Sequence, residues 1–178
     1  MKKYEDEKSK IIRESIGESI LSFLYTKKFD KISICDICQK AGVGRTTYYR
    51  YYGNKSGKED AIYYWLINRW EAYTKHQILS LEDTDNAFLA YIFSIKSELL
   101  LLRDNNLIHV LDSFIIYVYG PQDDKFDNVG LYYVKYSGAG IWMGIIRAIL
   151  YRNFADSMIE VKEQFKNALE LLISLNNK

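Results

Sequence analysis

The sequence predicts an all-α fold, and three observations carry the prediction. A single proline and only ten glycines stand in 178 residues. Alternation of apolar and polar residues, the mark of a half-buried strand, is scarce. Almost every segment instead repeats apolar residues at three- and four-residue spacing, as helices with one buried face do. With 48% hydrophobic and 15% aromatic residues the chain can bury a substantial core, in one domain or two small ones. There is no internal repeat or low-complexity segment. Residues 1–28 lack an apolar signal-peptide core, and no stretch approaches the roughly eighteen apolar residues of a membrane span. A soluble, cytoplasmic protein without a membrane partner is expected.

The elements follow in order. Ile12, Ile16, Ile20, Phe23 and Leu24 mark a first helix. Ile34, Ile37, Cys38 and Ala41 sit at i, i+3, i+4 and i+7 and draw a buried stripe on a short second helix, with Ser33 as its N-cap. Gly42 supplies a stop that tolerates positive φ, and Val43 plugs the angle before a third helix, Arg45 to Tyr52. Tyr48 and Tyr52 are expected to pack inward. A long connector runs from Gly57 to about Leu81 with Ile62, Trp65, Leu66, Trp70, Tyr73 and Ile78. A further helix from about Thr84 to Arg103 buries Phe88, Tyr91, Ile92, Ile95, Leu99 and Leu102, and Asp104-Asn105-Asn106 breaks it. Leu107 to Tyr119 is too densely apolar for a surface helix. Periodicity leaves a strand open for Ile115–Tyr119, and the helical neighbourhood favours helix. Gly120-Pro121-Gln122-Asp123-Asp124 reads as a loop whose carboxylates solubilise it. Two long helices close the chain, about Val129 to Tyr151 and about Asp156 to Leu175.

Charge is unevenly spread. The net charge is +1, yet residues 1–60 carry 13 Lys or Arg against 9 Asp or Glu, while the remainder carry 11 against 14. From Gln39 through Lys58 there is no carboxylate, whereas Lys40, Arg45, Arg50, Lys55 and Lys58 are basic and Thr46, Thr47, Tyr48, Tyr49, Tyr51 and Tyr52 add hydroxyls. Such a run can hydrogen-bond phosphates and base edges without repelling a polyanion. A solvated basic helix would share the charge, but it would not need the Ala41-Gly42-Val43 turn. The pattern reads as a helix-turn-helix.

Phe29 to Lys55 resembles the DNA-binding segment of the TetR family of bacterial transcriptional regulators. Phe29, Ile32 and Ser33 lead into the first motif helix as in that family. Ala41, Gly42, Val43, Thr47, Tyr49, Tyr52 and Lys55 match its turn, recognition-helix Thr and Tyr, terminal aromatic and following Lys. Gly44 stands where a Ser commonly opens the recognition helix, and Tyr51 stands where a His is common. Ser56-Gly57-Lys58 reads as a small insertion before the helix start at Glu59-Asp60-Ala61-Ile62. The resemblance implies a three-helix DNA-binding head, residues 1–56, and a helical regulatory and dimerisation body, residues 57–178. It also implies a homodimer bound to an inverted-repeat operator on double-stranded DNA, and a repressor released by a small-molecule effector. Arg45, Thr46 and Arg50 are the expected base readers on the protruding helix. Ser33, Thr47, Tyr49, Tyr51 and Lys55 are expected to grip phosphates. Gly44 belongs to the same DNA-binding set.

The body offers two further patterns. Val161, Phe165, Ala168, Leu169, Leu172 and Leu175 give the last helix more apolar width than one neighbour requires. Gly138, Gly140 and Gly144 would each cost their helix about 1 kcal/mol relative to Ala unless close approach of another helix offsets it. Intrachain packing and a four-helix dimer interface both account for this; the resemblance implies the dimer, with Gly140, Gly144, Phe165, Leu169 and Leu172 in the interface. Trp65, Trp70, Phe88, Tyr91, Phe114, Tyr117 and Trp142 either fill the core or line a cavity for a largely apolar ligand.

Other chemistry is not expected. Gly138-x-Gly140-x-x-x-Gly144 lies in a helical pattern with the wrong spacing for a dinucleotide loop, and no catalytic signature is present, so neither an enzyme nor a cofactor is expected. Cys35 and Cys38 form a Cys-x-x-Cys pair. A tetrahedral metal site needs about four ligands, however, and His76 and His109 are isolated, so no metal is expected. Cys38 falls on the core stripe and Cys35 outside it, leaving thiol sensing as a minor reading. Two alternatives to a ligand-released repressor stand: a ligand-independent DNA-binding coactivator or architectural partner, and a helical interaction protein that does not touch DNA. The carboxylate-free run argues against the second.

Overall fold

The structure, a computed structural model, describes residues 7–53, 57–75, 81–121 and 129–176, without the side chains of 81, 82, 169 and 171–176. Among these residues the chain is all-α. The helices are α1 (Glu7–Leu24), α2 (Ile34–Ala41), α3 (Arg45–Tyr52), α4 (Gly57–Thr74), α5 (Leu81–Ser94), α6 (Lys96–Asp104), α7 (Ile108–Tyr119), α8 (Val129–Tyr151) and α9 (Met158–Asn176), with a 3-10 turn at Phe29–Lys31. Ile115–Tyr119 is therefore helix, the favoured of its two readings. No helix among the described residues is long and apolar enough to cross a membrane.

The chain divides into two compact units. The first holds residues 1–77 and 101–118, the second residues 78–100 and 119–178. In the first unit α1 lies along α4, and Gly17 is where they meet: a Cβ there would stand 2.7 Å from Trp65 Cβ and 2.9 Å from the Ala61 carbonyl oxygen. That close approach explains a glycine in mid-helix. Ile16, Ile20, Ile37, Ile62, Leu66 and Phe114 are all fully buried in this unit. Its α1–α4 rim is polar: Arg69 reaches Glu14 at 3.4 Å and Glu18 at 2.8 Å, and Asn68 donates to Glu14 at 2.9 Å. In the second unit Phe88 packs edge-on against Tyr119 and Trp142, whose rings stack 5.5 Å apart.

Five boundaries differ from expectation. The connector helix ends at Thr74, and residues 76–80, with His76 and Ile78, lie outside the described set. Gly57 and Lys58 form the first turn of α4, so they are not an insertion before it. The expected helix from Thr84 to Arg103 starts earlier, at Leu81, and is interrupted between α5 and α6 at Ile95. Ser94 Oγ donates to the Tyr91 carbonyl at 2.7 Å there, a side-chain bond that competes with the helix ladder. The last helix begins at Met158, because Ser157 and Glu160 exchange side-chain-to-backbone bonds of 3.3 and 2.7 Å and cap it. Asp123 and Asp124 fall outside the described residues.

Candidate nucleic-acid interface

Local chemistry fixes α2 and α3. Ser33 Oγ accepts the Asp36 N–H at 3.1 Å while the Asp36 carboxylate accepts the Ser33 N–H, closing a capping box. Its hydroxyl proton is left for another acceptor. The Lys27 ammonium 3.0 Å away, followed by the Ser33 bonds, holds the Asp36 carboxyl below its ordinary value. At the other end Gly42 adopts φ 65°, its N–H reaches the Cys38 and Gln39 carbonyls, and Val43 N–H returns to Cys38 at 3.0 Å. This is the left-handed stop that glycine allows. Gly44 then caps α3 with extended backbone and no side-chain bond.

On α3, Tyr48 and Tyr52 are buried, as the pattern anticipates. Burial drives the Tyr48 phenol well above its ordinary pKa, so it stays neutral. The rest of α3 carries Arg45, Thr46, Tyr49 and Arg50 exposed, with Thr47 and Tyr51 half-buried. These expected DNA-binding residues all reach solvent at least in part, and Ser33 is exposed at the N-cap of α2. Lys55 lies outside the described residues. Arg50 is held in a chain of contacts: it sits over the Tyr51 ring at 4.8 Å, donates to Tyr51 Oη at 3.1 Å, and Tyr51 Oη donates to Ser9 Oγ at 2.9 Å. Lys8, Ser9, Ile12, Arg50 and Tyr51 line a groove of about 400 Å³. The α1 side of this surface, Lys8 and Ser9, was not legible in sequence, because forty-two positions separate Ser9 from Tyr51.

Lys58 leaves the basic run. Its ammonium donates to the carbonyls of Phe29 at 2.8 Å and Ile32 at 3.1 Å, rests over the Phe29 ring, and is pushed down in pKa by burial. It ties the start of α4 to the segment entering α2. Asn105 joins the same knot by accepting the Phe29 N–H at 3.1 Å. Arg13 is stacked 3.5 Å from the Tyr64 ring centroid and flanked by Tyr51 and Tyr52, bracing α1 against α3 and α4.

The residues proposed to line a ligand cavity fall in both units. Trp65, Trp70 and Phe114 are buried in the first, and Tyr117, half-buried, hydrogen-bonds Glu71 of α4. Burial and then that carboxylate raise the Tyr117 phenol pKa. Among the described residues the buried Trp65 indole N–H has no hydrogen-bond partner. In the second unit Phe88 and Tyr91 are buried, while Trp142 stacks on Tyr119 and both donate to the Asp85 carboxylate, at 3.3 and 2.8 Å.

Of the expected interface residues, Gly140 and Gly144 are exposed on α8, and among the described residues nothing lies within 4 Å of a Cβ built on either. Around them stand large exposed side chains: Tyr133 is 66% exposed, Ile141 47% and Tyr151 86%. Phe165 is half-buried and, with Ile145, Ile149 and Val161, lines a groove of about 560 Å³ between α8 and α9. Arg152 and Asp156 pair at its rim. The side chains of Leu169 and Leu172 lie outside the described set. Among the described residues no group of three His, Cys, Asp or Glu side chains is placed to hold a metal ion. No protein-family model matches the chain, and no curated protein matches it either.

Proposed function

We propose that the chain is a homodimeric DNA-binding transcriptional regulator of the TetR type, with α2 and α3 as a helix-turn-helix and α3 in the major groove. The observation that carries this reading is the α3 surface: two guanidiniums and four hydroxyls stand together on an eight-residue helix without a carboxylate, braced from behind by buried Tyr48 and Tyr52. Arg45 and Thr46 are free of the core and read base edges. Ser33, Thr47, Tyr49, Tyr51 and Lys55 hold phosphates. The bond from Arg50 to Tyr51 aligns it with the α1 end of the surface, so on binding it either swings to the groove or joins the phosphate grip. The open glycine face of α8 supports dimerisation, because no atom among the described residues lies within 4 Å of a Cβ on Gly140 or Gly144 to offset their cost. A two-fold pair would then place two α3 helices about 34 Å apart on an inverted repeat.

The test uses DNA selected by the full chain from a random pool. Arg45→Ala should relax preference at one base position by about 1–3 kcal/mol. Lys55→Ala should weaken all sequences alike and flatten the salt dependence. A selected motif unchanged by Arg45→Ala overturns the role given to that residue.

Release of a repressor by a small, largely apolar ligand completes the reading. The Lys58 knot couples α4 to the entry of α2, so a ligand shifting α4 would reorient the reading surface; tenfold weaker DNA affinity requires about 1.4 kcal/mol of coupling. A second reading, a ligand-independent coactivator or architectural protein, is favoured by the burial of Trp65, Trp70, Phe88, Tyr91 and Phe114 in packed cores. Titration with apolar aromatic compounds separates the two when indole emission and DNA release are followed together. Compounds that bind and release DNA support the repressor; binding that never alters DNA affinity supports the second reading.

A further inference from the structure

α1 and α3 meet across a groove lined by Lys8, Ser9 and Ile12 from α1 and by Arg50 and Tyr51 from α3. Tyr51 Oη bridges its two walls, accepting from Arg50 at 3.1 Å and donating to Ser9 Oγ at 2.9 Å. That chain, with the guanidinium 4.8 Å from the Tyr51 ring centroid, holds Arg50 on the α1 side of α3. The bond to Tyr51 takes one N–H of a side chain that carries five. Lys8 and Arg50 are exposed, no carboxylate lines the groove, and among the described residues neither cation pairs with one. Arg13, 5.8 Å from the Tyr51 ring centroid, adds a third positive charge beside it. An open groove of about 400 Å³ that offers cationic donors and no anion fits a tetrahedral oxyanion.

We propose that this groove is a backbone-phosphate seat, in which Lys8 and Arg50 of each protomer grip one DNA phosphate, and that Arg50 reads no base. This rests on the reading of α3 as the recognition element. To reach a guanine in the major groove, Arg50 has to give up its bond to Tyr51 and its place beside α1. A phosphate finds the guanidinium already in position, so binding costs less side-chain freedom. The remaining N–H donors can meet two phosphate oxygens side by side, while Lys8 supplies a point charge from the opposite wall. The seat thereby ties α1, a helix outside the helix-turn-helix, to the duplex and sets the angle at which α3 enters the groove. It contributes affinity and register without sequence preference. Arg50 thus passes from the base-reading set that the sequence pattern suggests to the phosphate set, and base reading falls to Arg45 and Thr46.

The test uses the full chain and DNA selected by that chain. Lys8→Ala and Arg50→Ala should each weaken binding to every sequence alike, lower the slope of log affinity against log salt by about one, and leave the selected motif unchanged. A series of DNAs carrying a single uncharged methylphosphonate at successive positions then locates the phosphate. At one position per half-site the substitution should weaken the wild-type chain and cost the Lys8→Ala/Arg50→Ala chain nothing further. Loss of preference at a base position in Arg50→Ala makes Arg50 a base reader and overturns the proposal, as do unchanged salt slopes or the absence of any such phosphate. Inorganic phosphate that binds the DNA-free chain through these residues, with the salt slopes unchanged, would make the groove a free-anion site and overturn it as well. A chain that binds no DNA at all overturns the DNA reading first, and the seat falls with it.

Discussion

The α2–α3 region and α8 solve their local problems in opposite ways. Each end of α2 is closed by its own residues, through the Ser33–Asp36 box and the positive-φ Gly42, and α3 buries its two inward tyrosines. What it leaves over is polar and cationic. In α8, Tyr133, Gly140, Ile141, Gly144 and Tyr151 stay exposed, and among the described residues nothing lies within 4 Å of a Cβ on either glycine. The first region closes its helix ends and core with its own residues and leaves hydrogen-bond donors exposed. The second leaves apolar side chains exposed and, among the described residues, open space over its glycines. A surface of donors fits a nucleic acid, whereas an apolar face with backbone clearance fits another protein helix.

If the α2–α3 region is complete in itself, its core should be costly to disturb and its outer face cheap. Tyr48 is 1% exposed, so Tyr48→Ala should cost about 3–5 kcal/mol in denaturant melts. Tyr49→Ala should stay within about 0.5 kcal/mol of the parent in stability while weakening DNA binding. Similar stability losses for the two would dissolve the distinction between core and reading face.

Gly144→Leu attacks the other side of the comparison. With no atom of the described residues within 4 Å of its Cβ, the protomer should tolerate the leucine, and the helix should gain slightly from losing a glycine. Blocking helix approach should cost dimerisation about 1–3 kcal/mol, ten- to a hundredfold in affinity, and DNA binding should fall with it. A variant that sediments as a full dimer removes Gly144 from the interface.

Acid should act selectively on α2. The Asp36 carboxyl sits below its ordinary value of 3.8 because of Lys27 and then Ser33. Its stabilisation is therefore fully present above pH 3.8 and is lost as pH falls through the lower folded value. Wild type should lose α2 hydrogen-exchange protection more steeply below that pH than Asp36→Asn; parallel curves would show that the capping box is not the titrating element. The smallest effect is expected at Gly44. It lacks a side-chain cap and has open space around it, so Gly44→Ser should stabilise α3 by a few tenths of a kcal/mol, about the usual gain over a glycine cap. A destabilised variant would mean that the Gly44 backbone is needed bare.

Sequence made the α2–α3 region legible because its determinants are local: a stripe at i, i+3, i+4 and i+7, a capping serine, and a glycine at the stop. The limits of α8 agree with the reading for the same reason. The α9 start is equally local, in Ser157-x-x-Glu160, although Asp156, one residue earlier, is also a residue type that caps helices. The break at Ile95 is not recorded by periodicity, because the apolar stripe runs through it from Ile92 to Leu99. Lys58 resembled a DNA contact because charge counting is blind to a partner twenty-nine positions away. The Ser9–Tyr51 bond is likewise a product of tertiary structure.

The central claim, a dimer that reads DNA through paired α3 helices, is tested most directly by half-site spacing. DNA selected by the full chain is rebuilt with about five base pairs, half a helical turn, inserted at the centre of the repeat. The expected result is an inverted repeat that binds one dimer and loses nearly all specific affinity on insertion, because the second α3 then faces the wrong side of the duplex. A selected site without two-fold symmetry, or an affinity indifferent to the insertion, would contradict the account.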